Sequence, residues 1–274
     1  MNNSPTYQAY LKSPYKSGKH STYFDTYDEL FAPYRGKQIT FVEVGILGGG
    51  SLFMWREFFG PQARIIGIDL NPNAKKWEQH GFEIFIGSQS DENFWKNFAN
   101  QVGEIDIVLD DGGHTYIQQV VTTEMLLPFI KDRGMVVVED THTSYMTGFG
   151  PQQYSFINYV KHMIDRINHR FAGIEASHSE KRVWSIQVFE SIVAFRINKE
   201  ATALTSHPTT NNGIDDLATD YRHHGDQRIA KLDESISKFP LLMKVPGFKF
   251  VEKKLRKFLD RRKISVSSPQ KYFK

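Results

Sequence analysis

Residues 38–51 read QITFVEVGILGGGS. A run of β-branched and aromatic residues breaks at Gly45, and Gly48, Gly49 and Gly50 follow before a helical SLFMWREFFG. A strand that is apolar on both faces belongs in a parallel sheet covered by helices. Glycines at its end let the backbone turn sharply and approach a ligand closely. The order strand, glycine loop, helix places that ligand at the carboxyl end of the sheet.

Four further runs share this character: RIIGIDL (64–70), FEIFIG (82–87), IDIVLDD (105–111) and GMVVVED (134–140). Segments such as SLFMWREFFG and QQVVTTEMLLPFIK read as crossover helices, and 154–170 repeats apolar residues at helical spacing. VWSIQVFE (183–190) and SIVAFRI (191–197) abut at a tight turn, as an antiparallel pair would. The expected fold is α/β: a Rossmann-like, seven-stranded, mostly parallel sheet with a terminal antiparallel hairpin and helices on both faces. The organisation reads as an N-terminal arm (1–37), a catalytic domain (38–197), a linker with an appended helix (198–243) and a basic tail (244–274). The arm, with its Tyr15–Phe24 stretch rich in rings and hydrogen-bonding groups, reads equally as a lid over the ligand or as a surface extension.

Composition excludes several classes. With 274 residues, 40% of them hydrophobic, the chain can bury a full core and is not wholly disordered. No stretch is apolar enough to cross a membrane as a helix, and the first twenty residues lack the apolar centre of a secretory signal, so a cytoplasmic protein is expected. The absence of cysteine excludes disulfides, thiolate metal sites and a cysteine nucleophile. Residues 244–274 hold eleven Lys and Arg against two acids, so residues 1–243 are net acidic within a total of +3. In that tail Val251, Leu255, Phe258 and Leu259 share one helical face. Such a helix packs on the body or on another subunit, in a homo-oligomer, or makes peripheral contact with an anionic membrane. No nucleic-acid recognition motif accompanies the charge, and no nucleic-acid partner is expected.

The strand ends carry the chemistry. Glu43, two residues before Gly45, suits a ligand with a cationic part. The glycine pattern lacks the second glycine of the dinucleotide fingerprint, because Leu47 stands there, which counts against a nicotinamide oxidoreductase. Asp69 ends the second strand, where an acid can accept two hydrogen bonds from a ribose diol. Ser88, Gln89 and Asp91 follow the third strand, placed for an adenine edge; the alternative for Asp69 and Asp91 is plain helix capping. The fourth strand ends in Asp110-Asp111-Gly112-Gly113-His114 and the fifth in Glu139-Asp140-Thr141-His142. Acids so close repel unless a cation or a proton neutralises them. Asp111, Glu139 and Asp140 with open positions suit a hard divalent cation such as Mg²⁺ or Mn²⁺. His114 has the right pKa class to take a proton near neutrality; the alternatives are a fourth ligand or a solvated imidazole.

FVEVGILGGGSLFMWREFFG, RIIGIDLNP, IFIGSQSDENF, IDIVLDDGGHTYIQQ and VVVEDTHTSYM resemble class I S-adenosylmethionine-dependent methyltransferases. They look closest to the metal-dependent sugar O-methyltransferases of macrolide biosynthesis, of the mycinamicin VI 2''-O-methyltransferase type, over roughly residues 38–197. The resemblance implies that Glu43, Gly45, Gly49, Ser51, Asp69, Ser88, Gln89 and Asp110 surround S-adenosylmethionine. It implies Mg²⁺ on Asp111, Glu139 and Asp140, and His114 as general base. The family often has DGSH where this chain has Asp111-Gly112-Gly113-His114, a change that leaves the ligand and base positions intact. His142 falls at a variable site and is available to read the substrate. The acceptor so implied is a sugar hydroxyl of a glycoside, glycan or nucleotide sugar, with a catechol-like diol as the alternative. A non-catalytic adenosine-binding protein on a degenerate fold would be expected to lack carboxylates or base, and all are present.

Overall fold

The computed structural model describes residues 3–171, 174, 180–214, 227–239, 241 and 245–260. The chain divides into two compact units, Met1–Pro208 and Thr209–Lys274.

The first unit begins with two helices, α1 (Pro5–Leu11) and α2 (Tyr23–Phe31). The alternation then runs β1 (Thr40–Val44), α3 (Gly50–Phe59), β2 (Arg64–Asp69), β3 (Glu83–Ile86), α4 (Glu92–Val102), β4 (Ile105–Asp110), α5 (Tyr116–Leu126) and β5 (Ile130–Val138). Helix α6 (Phe156–Asn168), the hairpin β6 (Val183–Phe189) and β7 (Ile192–Ile197), and short α7 (Lys199–Ala203) complete it. The seven strands lie in the order β3-β2-β1-β4-β5-β7-β6. β1 to β5 are mutually parallel, and β7 runs antiparallel to both neighbours. The expected fold class is observed.

Alternate residues of each strand serve opposite faces. Phe41, Ile65, Leu109 and Val137 face one core, against Leu30 and Phe31 of α2 and Leu52, Trp55 and Phe59 of α3. Val42, Ile66, Val108 and Val136 face the other, against Trp95 and Phe98 of α4, Leu126 of α5 and Phe156 and Met163 of α6. In the first core Phe31, Phe41 and Phe59 pack around the Trp55 ring, with centroids 5.1–5.8 Å away. Each such ring taken from water contributes roughly 1.5–3 kcal/mol. Within the segment before β1, helix α2 belongs to the core: Tyr23, Phe24, Tyr27, Leu30 and Phe31 are all buried, while residues 14–22 are mostly exposed. Its polar look comes from tyrosines and threonines that bury their rings and methyls while their hydroxyls find partners.

Register decides where the site forms. Val44 lies opposite Asp110, and Asp110 opposite Val138. The residues that follow these strands, Gly45, Asp111 and Glu139, therefore emerge side by side. Glu139 and Asp140, expected to end the fifth strand, lie just past it because Asp140 takes φ +53° and leaves extended geometry.

In the second unit, α8 (Gln227–Lys238) and α9 (Phe248–Asp260) are joined by Arg256, which reaches Asp233 at 2.6 Å and Glu252 at 2.9 Å. The expected amphipathic tail helix is thus present over Phe248–Asp260. The rest of the 244–274 tail, apart from 245–247, and residues 215–226 of the expected appended helix lie outside the described residues. Among the described residues no helix is long and apolar enough to cross a membrane.

Candidate active site

A cavity of about 820 Å³ opens at the carboxyl ends of β1, β2, β3 and β4. Gly45, Ser51, Asp69, Ser88 and Gln89 stand on its wall, as do Asp111 and His114. Gly45 has φ +83°, and a Cβ there would overlap the Asp111 carbonyl oxygen. Only glycine lets the first loop pass so close to the fourth. Asp69 holds that loop from the other side. Its Oδ2 accepts from the backbone N–H groups of Ile46 (3.2 Å) and Leu47 (3.0 Å), and its Oδ1 from Asn71 (2.8 Å).

Three residues assigned to the cofactor from sequence sit behind this wall. Glu43 is fully buried; its Oε2 accepts from Ser51 Oγ (2.7 Å) and its Oε1 from Trp55 Nε1 (3.0 Å). A buried indole N–H needs an acceptor, and Glu43 is that acceptor. Burial pushes the Glu43 carboxyl up to about 7, although nearby Lys19 works against the rise. Gly49 faces the Trp77 ring, where a side chain would collide. Asp110 accepts from Gln89 Nε2 (3.0 Å) and from the Gly112 N–H (3.2 Å), and burial pushes it up to about 7 as well. Gln89 in turn takes the Gly113 N–H at 2.7 Å, so its amide ties the third loop to the fourth. Asp91, also read toward the adenine, caps α4 by accepting from Asn93 N–H (2.8 Å).

The acidic cluster is organised differently from the expected triad. Asp111, His114 and Asp140 each offer a ligand atom within 4.8 Å of the others. His114 Nε2 is 3.3 Å from Asp140 Oδ2. His114 and Asp140 both take left-handed backbone conformations, φ +58° and +53°, which are uncommon away from glycine. Glu139 does not join them. It is buried, its Oε1 accepts from Tyr27 OH at 2.6 Å, and Lys19 Nζ stands 3.1 Å from its Oε2. Burial first, and Asp111 second, hold the Glu139 carboxyl well above the usual range.

The cation among these acids is Lys19. Its Nζ is 2.5 Å from Asp111 Oδ2, and its side chain is 1% exposed. Burial opposes that ammonium, yet Asp111, Glu139 and Glu43 together hold its pKa above the ordinary lysine value. Tyr23 donates to Asp140 Oδ1 and also contacts Ser191 Oγ at 2.8 Å, and His142 Nδ1 lies 2.5 Å from the same Ser191 oxygen. His20, Asp140 and His142 form a second cluster of close donors. Sequence reasoning missed Lys19, Tyr23 and Tyr27 individually. For Tyr23 and Tyr27 the available signal was their spacing of four, which sets both on one face of α2; Lys19 precedes that helix.

Two carboxylates and an imidazole so close suit a hard divalent cation in donor chemistry. Asp111, His114 and Asp140 therefore fit one, while Glu139 is committed to Tyr27 and Lys19.

The doubly wound sheet with β7 antiparallel next to β5, the glycine loop after β1 and the acid at the end of β2 together make a Rossmann-like methyltransferase fold. Residues 42–141 match the family model described as a methyltransferase domain. The chain is 34% identical over 183 residues to mycinamicin VI 2''-O-methyltransferase from Micromonospora griseorubida, covering 61% of this chain and 45% of that protein. It is 31% identical over 203 residues to 8-demethyl-8-alpha-L-rhamnosyl tetracenomycin-C 2'-O-methyltransferase from Streptomyces olivaceus, covering 69% and 52%. Among solved structures, MycE methyltransferase of the mycinamycin pathway, in complex with Mg and SAH, superposes with a TM-score of 0.65 at 27% identity, over 75% of this chain and 56% of that one. The chain spans about half the length of the curated relatives it matches.

Proposed function

We propose that this chain transfers a methyl group from S-adenosylmethionine to a sugar hydroxyl of a glycoside, glycan or nucleotide sugar. The observation that carries the reading is one cavity lined by Gly45, Asp69 and Ser88 and also by Asp111 and His114. A loop set suited to a nucleoside and an imidazole suited to take a proton thus border the same space. The names of the relatives support a sugar acceptor, and MycE has been solved with Mg, SAH and mycinamycin VI together.

In this reading Asp69 accepts from the ribose diol, Ser88 lies toward the adenine, and Gly45 and Ser51 border the methionine part. Glu43, Gly49 and Asp110 brace those loops from behind. Asp111 and Asp140 would hold a divalent cation such as Mg²⁺, which would supply Lewis acidity, and S-adenosylmethionine would supply an electrophilic methyl group. His114 Nε2 takes the hydroxyl proton. Asp140, 3.3 Å from that nitrogen, stabilises the imidazolium so formed. The cavity walls would orient the acceptor hydroxyl toward the methyl group of the bound donor.

The test is His114→Asn, because asparagine tolerates the positive φ at this position but is no base. Turnover of labelled methyl donor, with a panel of glycosides and nucleotide sugars, should fall by about 100-fold or more. SAH binding by calorimetry should persist. A variant with near-normal turnover removes His114 from the mechanism, and a wild-type protein that binds no SAH removes methyl transfer altogether.

A further inference from the structure

The stretch between α1 and α2 delivers an ammonium into the acidic cluster, and its hydrogen-bonding capacity is filled. Lys19 Nζ lies 2.5 Å from Asp111 Oδ2 and 3.3 and 3.1 Å from the two oxygens of Glu139, with Glu43 Oε1 at 3.8 Å. An ammonium has three N–H donors, and the Asp111 and Glu139 oxygens take them. The Tyr27 ring covers it, 5.8 Å from Nζ to the ring centroid, while the Tyr27 hydroxyl donates to Glu139. Nothing else among the described residues brings a second cation within ion-pair distance of Asp111 or Glu139 apart from the His114 imidazole grouped with Asp111. Asp111 is thus shared. One set of partners, His114 and Asp140, would place it on a divalent ion. The other, Lys19 and Glu139, places it on a fixed ammonium. A divalent ion coordinated by Asp111 and Glu139 together would compete with the ammonium, which already takes Asp111 Oδ2 and both Glu139 oxygens.

We propose that Lys19 is the resident cation of this centre: its ammonium holds Asp111 and Glu139, and a divalent cation gains those two carboxylates only by displacing it. The proposal rests on Asp111 being the ion ligand of the function proposed above. It makes Lys19 a positioning residue that sets how tightly the centre takes up an ion. It also ties that uptake to the cavity wall, because Lys16, Ser17 and Gly18, next to Lys19 in the chain, line the large cavity. The backbone carbonyls of Tyr15 and Lys16 press so closely on Gly50 that only glycine fits there, so the segment is seated on the start of α3.

The experiment uses Mn²⁺ as the probe, followed by electron paramagnetic resonance in the full chain, with Lys19→Met and Lys19→Met/Glu139→Gln beside the wild type. Methionine keeps an unbranched side chain and removes the charge. Lys19→Met should bind Mn²⁺ at least about tenfold more tightly than wild type, a coupling of ordinary size. The added Glu139→Gln should abolish most of that gain. A purely structural role for Lys19 would weaken binding or leave it unchanged. In the unmodified protein, acetylation mapped by mass spectrometry should find Lys19 protected without ion and reactive when Mn²⁺ is added to saturation; this arm decides the matter if Lys19→Met does not fold. A folded Lys19→Met that binds Mn²⁺ no more tightly than wild type overturns the proposal. So does a Lys19 that stays protected throughout the Mn²⁺ titration. SAH calorimetry on the wild type runs in parallel, so a failure of the methyl-donor reading is seen separately from a failure of this one.

Discussion

Glu43→Gln isolates one buried charge and predicts a pH dependence of stability. Glu43 lies fully buried under the glycine loop, bonded by Ser51 and Trp55. Burial raises its carboxyl from 4.5 to about 7, against the opposing pull of Lys19. The folded protein therefore holds this proton more tightly than the unfolded chain does. Stability from this source is fully present below the unfolded value of 4.5 and is lost as pH rises through about 7. The full loss is on the order of 3 kcal/mol, of which about 2.5 kcal/mol falls between roughly pH 5 and pH 8. Glutamine fits the same partners: its oxygen can take the Trp55 N–H and face Lys19, while its amide donates to the Ser51 hydroxyl, which rotates to accept. Urea unfolding of wild type and variant at both pH values, read by circular dichroism, gives the comparison. The wild-type stability minus that of Glu43→Gln should fall by about 2.5 kcal/mol across that range. A difference that stays flat would refute the burial argument and would place Glu43 as a solvated or fully compensated carboxylate.

Two further outcomes test the loops. Gly45→Ala forces a Cβ into the Asp111 carbonyl at φ +83°; strain and overlap together should cost about 2–4 kcal/mol in denaturant unfolding and weaken SAH binding, and unchanged values would contradict the close approach of the two loops. Thr143 Oγ1 contacts the backbone carbonyls of both His114 (3.2 Å) and Asp140 (2.8 Å); Thr143→Val should cost about 1–2 kcal/mol of stability and lower kcat for methyl transfer more than it changes SAH affinity, whereas equal effects on both would show that Thr143 does not support the pair.

The sheet was legible because each parallel strand is apolar on both faces, so Ile39–Val44, Ile65–Ile68 and Ile105–Leu109 stand out without help from periodicity. Gly45, Asp69, Asp111 and His114 were legible because strand ends in this topology converge on one crevice. What sequence could not show was which way a carboxylate turns once it leaves its strand. Glu139 and Asp140 are neighbours, yet one enters the core toward Tyr27 and the other turns to His114 and Tyr23, and the difference follows from a left-handed φ at Asp140 that aspartate tolerates. Asp110, Glu43 and Gly49 read as ligand contacts because residue type and position fit; burial moved them one layer back, where they hold Gln89, Trp55 and Trp77.

The N-terminal segment was the hardest to read, and the reason is physical. Its aromatic residues carry hydroxyls, so Tyr23 and Tyr27 look like surface polarity in a sequence, while in the fold their rings are buried and only the hydroxyls meet the acids. A buried carboxylate cluster needs donors on its far side as well as at its own strand ends. In a sheet whose strands all end at one edge, those donors must come from a different part of the chain. Sequence showed that Asp111, Glu139 and Asp140 needed a countercharge, and the structure supplies Lys19 as one from a segment about ninety residues away from Asp111. The unbalanced charge was the readable quantity; which lysine answers it is set by the path of the chain between α1 and α2.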